Sequence, residues 1–148
     1  MHKNIEKAGA YGGLALLCLF GVFFWALADF IPPLSPGASA EAIARTYAEH
    51  NTRIKVGLGL IVLFASISFP FVAVLARQVR RIEGYWGVMS LCQLGAGIVI
   101  PIGFIFPSVV AIAAAFRTHR SPEITQALND VFWLMFVGIV GTLVLQAI

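Results

Sequence analysis

Residues Tyr85–Phe116, YWGVMSLCQLGAGIVIPIGFIFPSVVAIAAAF, form a run of 32 residues without a charged side chain. A helix needs about 20 consecutive apolar residues to cross the roughly 30 Å hydrocarbon core of a bilayer. The strands of a membrane barrel alternate between polar and apolar residues, and this run does not alternate. The run therefore predicts a membrane-spanning helix. As a straight helix it would be about 48 Å long, so we expect it to tilt, to protrude, or to bend at Pro101 or Pro107.

Three further stretches, at about 8–31, 54–76 and 131–148, are long and apolar enough to be membrane spans. The charged residues of the four spans are Asp29 and Lys55, and each lies close to the end of a span. A mean hydropathy of +0.90 excludes an ordinary soluble domain and a disordered chain. We therefore predict an all-α fold, a transmembrane four-helix bundle that forms a single integral membrane domain over residues 1–148. Whether the native chain extends past Ile148 is left open.

A short amphipathic surface helix is predicted between helices one and two. The segment Pro32–Gly37 is rich in proline, which predicts a turn that ends the first helix. Ser39 is a typical N-cap residue. Behind it, apolar residues recur at helical spacing: Ala40, Ile43, Ala44, Tyr47 and Ala48. We expect this helix to lie at the membrane boundary. Ser121 followed by Pro122 similarly predicts the start of the last helix, ahead of the membrane.

The distribution of basic residues predicts the orientation. Arg77, Arg80 and Arg81 lie within five residues of one another between the second and third spans, and so dense a cluster is typical of the cytoplasmic side. We therefore place the N-terminus in the cytoplasm and expect a multi-pass protein of the bacterial cytoplasmic (inner) membrane. The first span has a basic flank and the small-residue triplet Ala26-Leu27-Ala28, as a signal peptide does. Its apolar run is longer than a signal core, so we expect an uncleaved helix.

Residue types that carry catalytic, metal or cofactor chemistry are scarce within the spans. His2, His50 and His119 all lie outside them, so the sequence places no histidine pair in the membrane for haem iron. Ser-His-Asp, HExxH and phosphate-loop patterns are also missing from the sequence. Cys18 and Cys92 lie in apolar runs, where cysteine behaves as a small hydrophobe. We predict no catalytic residue, no metal and no cofactor. The scattered basic residues predict contact with the lipid bilayer rather than with nucleic acid.

A few polar side chains within the spans are candidates for intramembrane contacts: Gln93, Ser66, Ser90 and Thr142. Interhelical hydrogen bonds of such groups contribute roughly 0.6–2 kcal/mol. The four side chains can therefore join helices, or they can contact a substrate if they line a cavity. At the end of the first span, Asp29 is expected to form an interfacial ion pair with Arg53 or Lys55.

Small residues form stripes along several predicted spans. Gly9 and Gly13 form a GxxxG pattern in the first span. The third span has the stripe Ser90, Gln93, Gly97, Pro101, Phe104 and Ser108, and the second span has the stripe Gly59, Ser66, Pro70 and Ala73. Because lipid is as apolar as leucine, membrane helices associate by close packing at such residues. The stripes therefore predict the faces through which the bundle packs on itself.

The segment Arg77–Phe136 contains the sequence Gln-Val-Arg-Arg-Ile-Glu at 78–83 and Pro-Glu-Ile-Thr-Gln-Ala-Leu-Asn-Asp at 122–130. In these features about half of the chain resembles polytopic membrane proteins of actinobacteria that have no assigned activity. The resemblance implies a bacterial inner-membrane location. It brings no functional residues.

Two functions agree with these features. The first is a non-catalytic integral membrane subunit or scaffold that packs through small-residue helix faces against partner membrane proteins or against itself as a homo-oligomer. The second is a small transporter or hydrophobic-ligand-binding membrane bundle, suggested by Gln93, the bendable third helix and a weak inverted repeat of Phe69-Pro70 in Phe106-Pro107. We favour the first because ionisable groups are so rare inside the spans. A water-filled cavity at mid-membrane, lined by Gln93 and Ser66, would favour the second.

Overall fold

The computed structural model describes residues 2–30, 32–84 and 87–139, and the regular structure in these residues is helical throughout. Helix α1 spans His2–Gly21 and continues as a π-helical turn, Val22–Leu27. The other helices are α2 (Ala40–Glu49), α3 (Asn51–Phe64), α4 (Ser68–Glu83), α5 (Val88–Phe116) and α6 (Pro122–Gly138). The all-α prediction is confirmed for the described residues.

Within the described residues, three helices are long and apolar enough to cross a membrane: Glu6–Leu27, Asn51–Glu83 and Val88–Phe116. They correspond to the first three predicted spans. The four-helix membrane bundle is not confirmed, because α6 ends at Gly138 in the described chain and the rest of the predicted span 131–148 lies outside the described residues.

Helix α1 ends earlier than the prolines at 32 and 33 predict. Its last turn is π-helical, and the Ala28 N–H donates to the Phe23 carbonyl at 2.9 Å. Asp29 then adopts a left-handed conformation with φ 59°, which aspartate tolerates better than most side chains because its short carboxylate bonds locally. The predicted boundary near residue 31 was wrong because neither glycine nor proline marks this turn.

Helices α3 and α4 form one long helix that a 3-10 turn interrupts at Ala65–Ile67. Pro70 explains the interruption, because it has no N–H to donate to the Ser66 carbonyl and its ring crowds that carbonyl. The sequence predicts a basic connection after Arg77, and this prediction was wrong. Helix α4 continues to Glu83, so the arginines that follow the apolar span lie on the helix itself.

Gly84 and Glu83 shape the end of α4 and the start of α5. Gly84 has φ 97°, a conformation that glycine adopts without a steric penalty. The Glu83 carboxylate accepts hydrogen bonds from the N–H groups of Met89 at 3.0 Å and Ser90 at 2.7 Å. These N–H groups have no acceptor within the helix. Glu83 therefore caps α5 and fixes the angle at which it returns along α4.

Helix α5 is the central helix of the bundle and packs against α3, α4 and α6. It remains α-helical through Pro101 and Pro107, and both prolines are buried. The predicted stripe on this helix is a packing face, since Ser90, Gln93, Gly97, Pro101 and Ser108 are all buried. Helix α1 packs against α4, and α2 packs against α6 at one end of the bundle.

Glycine allows the backbones of α1 and α3 to touch. A Cβ atom on Gly57 would lie 2.7 Å from the Phe23 carbonyl oxygen and 2.8 Å from the Ala28 nitrogen. The predicted GxxxG face behaves similarly, since a Cβ on Gly9 would lie 2.6 Å from Val74 Cγ2 of α4. These contacts are closer than any other residue permits, so glycine sets the spacing of α1 from the long α3–α4 helix.

The predicted stripe on the second span is not the packing face of that helix. Ser66, Pro70 and Ala73 are exposed, and a Cβ on Gly59 would meet no atom within 4 Å. The helix packs instead through a different, buried face: Gly57, Leu58, Ile61, Ala65, Ser68 and Val72. From Leu58 to Val72 the buried residues recur every three or four positions, straight through the 3-10 turn. The helical period was therefore right and the face was wrong, because the small residues of the predicted stripe do not mark the packing face of this helix.

Aromatic rings fill the space between α1, α5 and α6. We call this group the aromatic cluster; it comprises Phe20, Phe24, Phe30, Phe104, Phe132, Trp133 and Phe136. Its ring centroids lie between 4.9 and 6.5 Å apart, and each such pair contributes about 0.5–1.5 kcal/mol beyond its buried area. A cavity beside Phe20 and Phe104 has a volume of about 10 Å³, no more than a single water needs.

We expect Gly57→Ala to destabilise the protein and Gly59→Ala to leave it unchanged or slightly more stable. Both replacements favour the helix intrinsically by up to about 1 kcal/mol. At Gly57 the added methyl meets backbone atoms of α1, and such overpacking costs about 1–3 kcal/mol. The midpoint of thermal unfolding, measured in the same detergent, should fall for Gly57→Ala alone. Equal midpoints for the two variants would contradict the proposed backbone contact.

Candidate functional site

The predicted intramembrane polar residues do not meet at one place. Gln93 and Ser90 lie on the buried face of α5, and the Ser90 hydroxyl donates to the Gly87 carbonyl at 2.8 Å. Ser66 is exposed, and its hydroxyl donates to the Leu63 carbonyl of its own helix at 3.4 Å. Thr142 lies outside the described residues. The structure therefore does not bring Ser66 to Gln93, and no contact between them can define a substrate site.

The end of the bundle that α2 covers, which we call the capped end, contains the predicted ion pair. Arg53 Nη1 lies 3.5 Å from Asp29 Oδ2, and Arg53 Nη2 donates to the Ala26 carbonyl at 3.1 Å. His50 Nε2 lies 3.9 Å from the same Asp29 oxygen. Lys55, the predicted alternative partner, does not join this pair among the described residues. These side chains are partly exposed, so the pair contributes at most about 1 kcal/mol.

A buried hydrogen bond joins α2 to α6 at the capped end. The Tyr47 hydroxyl donates to Asn129 Oδ1 at 3.1 Å, and the two residues are only 2% and 5% exposed. The Tyr47 ring also packs edge-on against Phe30 of the aromatic cluster. Burial, together with the nearby negative charge of Asp130, raises the pKa of Tyr47 well above its ordinary value. The tyrosine therefore stays neutral and acts as a structural donor.

A second bond at the capped end attaches α3 to α5. The Asn51 side-chain amide donates to the carbonyl of Ala115, in the last turn of α5. The carbonyl groups in the last turn of a helix receive no hydrogen bond from within the helix, so they need a donor from outside it. The capped end is thus held together by side-chain amides, one phenol and the ion pair of Asp29 with Arg53.

The opposite end, which we call the arginine end, is built around Glu6. Arg81 Nη2 lies 2.6 Å and Arg77 Nε 3.3 Å from Glu6 Oε1, and Gln78 donates to Glu6 Oε2 at 3.4 Å. The Glu6 side chain is 14% exposed, so this ion pair is better shielded from water than the one at Asp29. It attaches α1 to α4, and it places Arg77 and Arg81 at the same end of the bundle as the start of α1.

Metal-binding residue types do not cluster within residues 2–30, 32–84 and 87–139. No group of three His, Cys, Asp or Glu side chains in these ranges comes close enough together to hold a metal ion. Cys18 and Cys92 are both exposed on the outside of the bundle, as free thiols. The polar side chains at both ends bond mainly to other parts of the fold.

Comparison with known proteins yields no match to this chain from protein families, curated proteins or solved structures. The resemblance of the segment Arg77–Phe136 to actinobacterial membrane proteins therefore stays a prediction.

The contacts that sequence reasoning missed join residues far apart in the chain. Tyr47 was placed correctly on the apolar face of the amphipathic helix, but nothing in the sequence pairs it with Asn129, which is 82 residues away. One signal was available, because Thr125, Asn129 and Phe132 recur at helical spacing on α6 and all are buried. Glu6 gave no such signal, since its helical turn lies ahead of the predicted first span.

We expect Tyr47→Phe to lower the stability of the protein by about 1–3 kcal/mol, because it leaves the buried Asn129 carbonyl without its donor. Tyr11→Phe is the matched control, since Tyr11 is exposed on α1. Thermal unfolding near neutral pH should separate the two variants. If both unfold at the wild-type temperature, the bond between α2 and α6 is not structural.

The variant Tyr47→Phe also tests how the stability of the protein depends on pH. Because the folded-state pKa of Tyr47 is raised, the neutral phenol stabilises the protein fully at pH values below the ordinary value of about 10. Above that value the unfolded chain ionises first, so wild-type stability should fall by up to about 1.4 kcal/mol per pH unit. Tyr47→Phe should lack this fall. Parallel pH profiles for wild type and variant above pH 10 would contradict the burial of the phenol.

Proposed function

We propose that the chain is a multi-pass protein of the bacterial cytoplasmic membrane that crosses the bilayer four times and serves as a non-catalytic subunit or scaffold. It would pack against partner membrane proteins or against copies of itself. The observation that carries this proposal is the aromatic cluster. It occupies the middle of the bundle, where a transport path or a buried active site would need space.

The use of the buried polar groups supports the same proposal. Tyr47 bonds to Asn129, Ser90 bonds to its own helix, and Glu83 caps α5. Tyr47 and Glu83 thus each join two helices, and the Ser90 hydroxyl is satisfied at the start of its own helix. A general base or a nucleophile needs a partner that activates it and a space for the substrate beside it. Tyr47 is enclosed in the core, and the Ser90 hydroxyl, which lines a groove between α4 and α5, is bonded to a backbone carbonyl.

The outer faces of the bundle offer surfaces for a neighbouring helix. On α5, Leu91, Gly95 and Ile98 are exposed along one side, and a Cβ on Gly95 would meet no atom within 4 Å. An exposed glycine between larger side chains leaves a shallow notch, into which another transmembrane helix can pack closely. Such a notch supports association within the membrane.

The proposed orientation places the arginine end in the cytoplasm. The ion pairs of Glu6 bring the start of α1 to the same end as Arg77 and Arg81. Basic residues that flank transmembrane helices are retained on the cytoplasmic side. The capped end, with α2 lying over it, would then face the outer side of the membrane.

The transporter alternative draws its support from Gln93, which is buried at a depth where polar groups are rare. Against it, Ser66 lies on the outside of the α3–α4 helix, and the cavity beside Phe20 and Phe104 holds at most one water. We therefore prefer the scaffold.

Photo-cross-linking in native membranes tests the scaffold proposal. An aliphatic diazirine amino acid replaces Leu63 or Leu134, which are exposed on α3 and α6, or Leu58, which is fully buried on α3. We expect discrete protein adducts from the exposed positions and none from Leu58. We also expect particles extracted with native lipid to be heavier than a monomer.

A lone monomer that yields no adduct from Leu63 or Leu134 would contradict the proposal. If the melting temperature of that monomer also rose in the presence of a specific small solute, the transporter or ligand-binding alternative would replace it.

A further inference from the structure

A groove with a volume of about 670 Å³ lies between the end of α4 and the start of α5. Its rim carries Arg77, Arg80 and Arg81, and its floor includes Leu91 and Leu94. All three arginines are exposed. The groove therefore combines a cationic rim with an apolar floor, and it lies at the level where the apolar part of α4 gives way to charged residues.

Positive charge exceeds negative charge around the groove. Glu6 accepts both Arg81 and Arg77 on a single oxygen. Glu83, a second nearby carboxylate, is turned toward the N–H groups at the start of α5, where the helix dipole already offsets its charge. Each guanidinium carries five N–H donors, so the two arginines that contact Glu6 keep donors for a further anion.

The floor of the groove indicates an amphipathic ligand. Leu91 and Leu94 lie one and two turns inside α5, and Ala73 and Ala76 face them from α4. A small soluble anion would contact the arginines but would leave these apolar side chains uncovered. A phospholipid matches both parts, because its phosphate lies at the level of the headgroups and its acyl chains run along the helices toward mid-membrane.

We propose that this groove binds an anionic phospholipid, with the headgroup phosphate on Arg77, Arg80 and Arg81 and an acyl chain along Leu91 and Leu94. The excess of positive charge favours a lipid with net negative charge over a zwitterionic one. This inference needs a membrane location but not the scaffold function, so each can fail without the other.

Native mass spectrometry of the purified full chain tests the proposal. The chain is titrated with phosphatidylglycerol and with phosphatidylcholine of the same acyl composition, and inorganic phosphate is added as a competitor. We expect phosphatidylglycerol to bind at least about tenfold more tightly than phosphatidylcholine. Inorganic phosphate should not displace it, because phosphate has no acyl chain to cover the floor.

Two matched pairs of variants localise the binding. Arg80→Gln with Arg81→Gln should weaken phosphatidylglycerol binding by about tenfold or more, whereas Arg117→Gln with Arg120→Gln removes the same charge beyond the end of α5 and should leave it unchanged. Leu94→Trp fills the floor without changing the charge and should also weaken binding. Leu134→Trp is its control on the exposed side of α6.

Three results would overturn the proposal. Equal losses in the two arginine double variants would mean that overall charge, not the groove, attracts the lipid. Displacement by inorganic phosphate would mean a site for free anions. Equal binding of the two lipids would mean that the arginines select no headgroup. If the Arg80 and Arg81 double variant does not fold, the tryptophan variants test the groove without it. Equal phosphatidylglycerol binding by Leu94→Trp and Leu134→Trp would then overturn the proposal.

Discussion

Acyl chains solvate an apolar side chain about as well as a protein interior does, so burying leucine against leucine does not hold membrane helices together. The helices must therefore associate through closer packing than lipid can offer, or through polar bonds that lipid cannot form. This chain has both kinds. Gly57 lets the backbone of α3 rest on the end of α1, the aromatic cluster joins α1, α5 and α6, and polar bonds close each end of the bundle. The remainder of the architecture depends on these contacts.

Polar chemistry is divided between the two ends of the bundle. At the capped end a buried, neutral hydrogen bond joins Tyr47 to Asn129, and a partly exposed ion pair joins Asp29 to Arg53. At the arginine end the polar groups are charged and border a groove with an apolar floor. Between them lie aromatic rings and small residues. The described chain therefore presents exposed apolar side chains on its outer faces and an arginine-lined groove at one end.

The helices that are marked by a long apolar run or a repeated apolar spacing were predictable from the sequence. Helix ends that depend on a single residue, and contacts between residues far apart in the chain, were not. Apolar length predicted the first three spans, and the spacing behind Ser39 predicted α2. The end of α1 was missed because Asp29 breaks the helix without a glycine or proline. The packing face of α3–α4 was missed because the small residues Ser66, Pro70 and Ala73 lie on the exposed side of the helix. The partners of Glu6 were missed because no local pattern connects α1 with α4.

Water access to the middle of the bundle tests the account most directly. Ala65 is buried at the 3-10 turn, beside Phe20 and Phe104. In a chain with Cys18 and Cys92 replaced by alanine and reconstituted in bilayers, Ala65→Cys should not react with a charged, membrane-impermeant thiol reagent. Thr118→Cys, in the exposed segment after α5, should react fully in the same preparation. Reaction of Ala65→Cys at a rate similar to that of Thr118→Cys would show a water-filled path and contradict the closed aromatic interior.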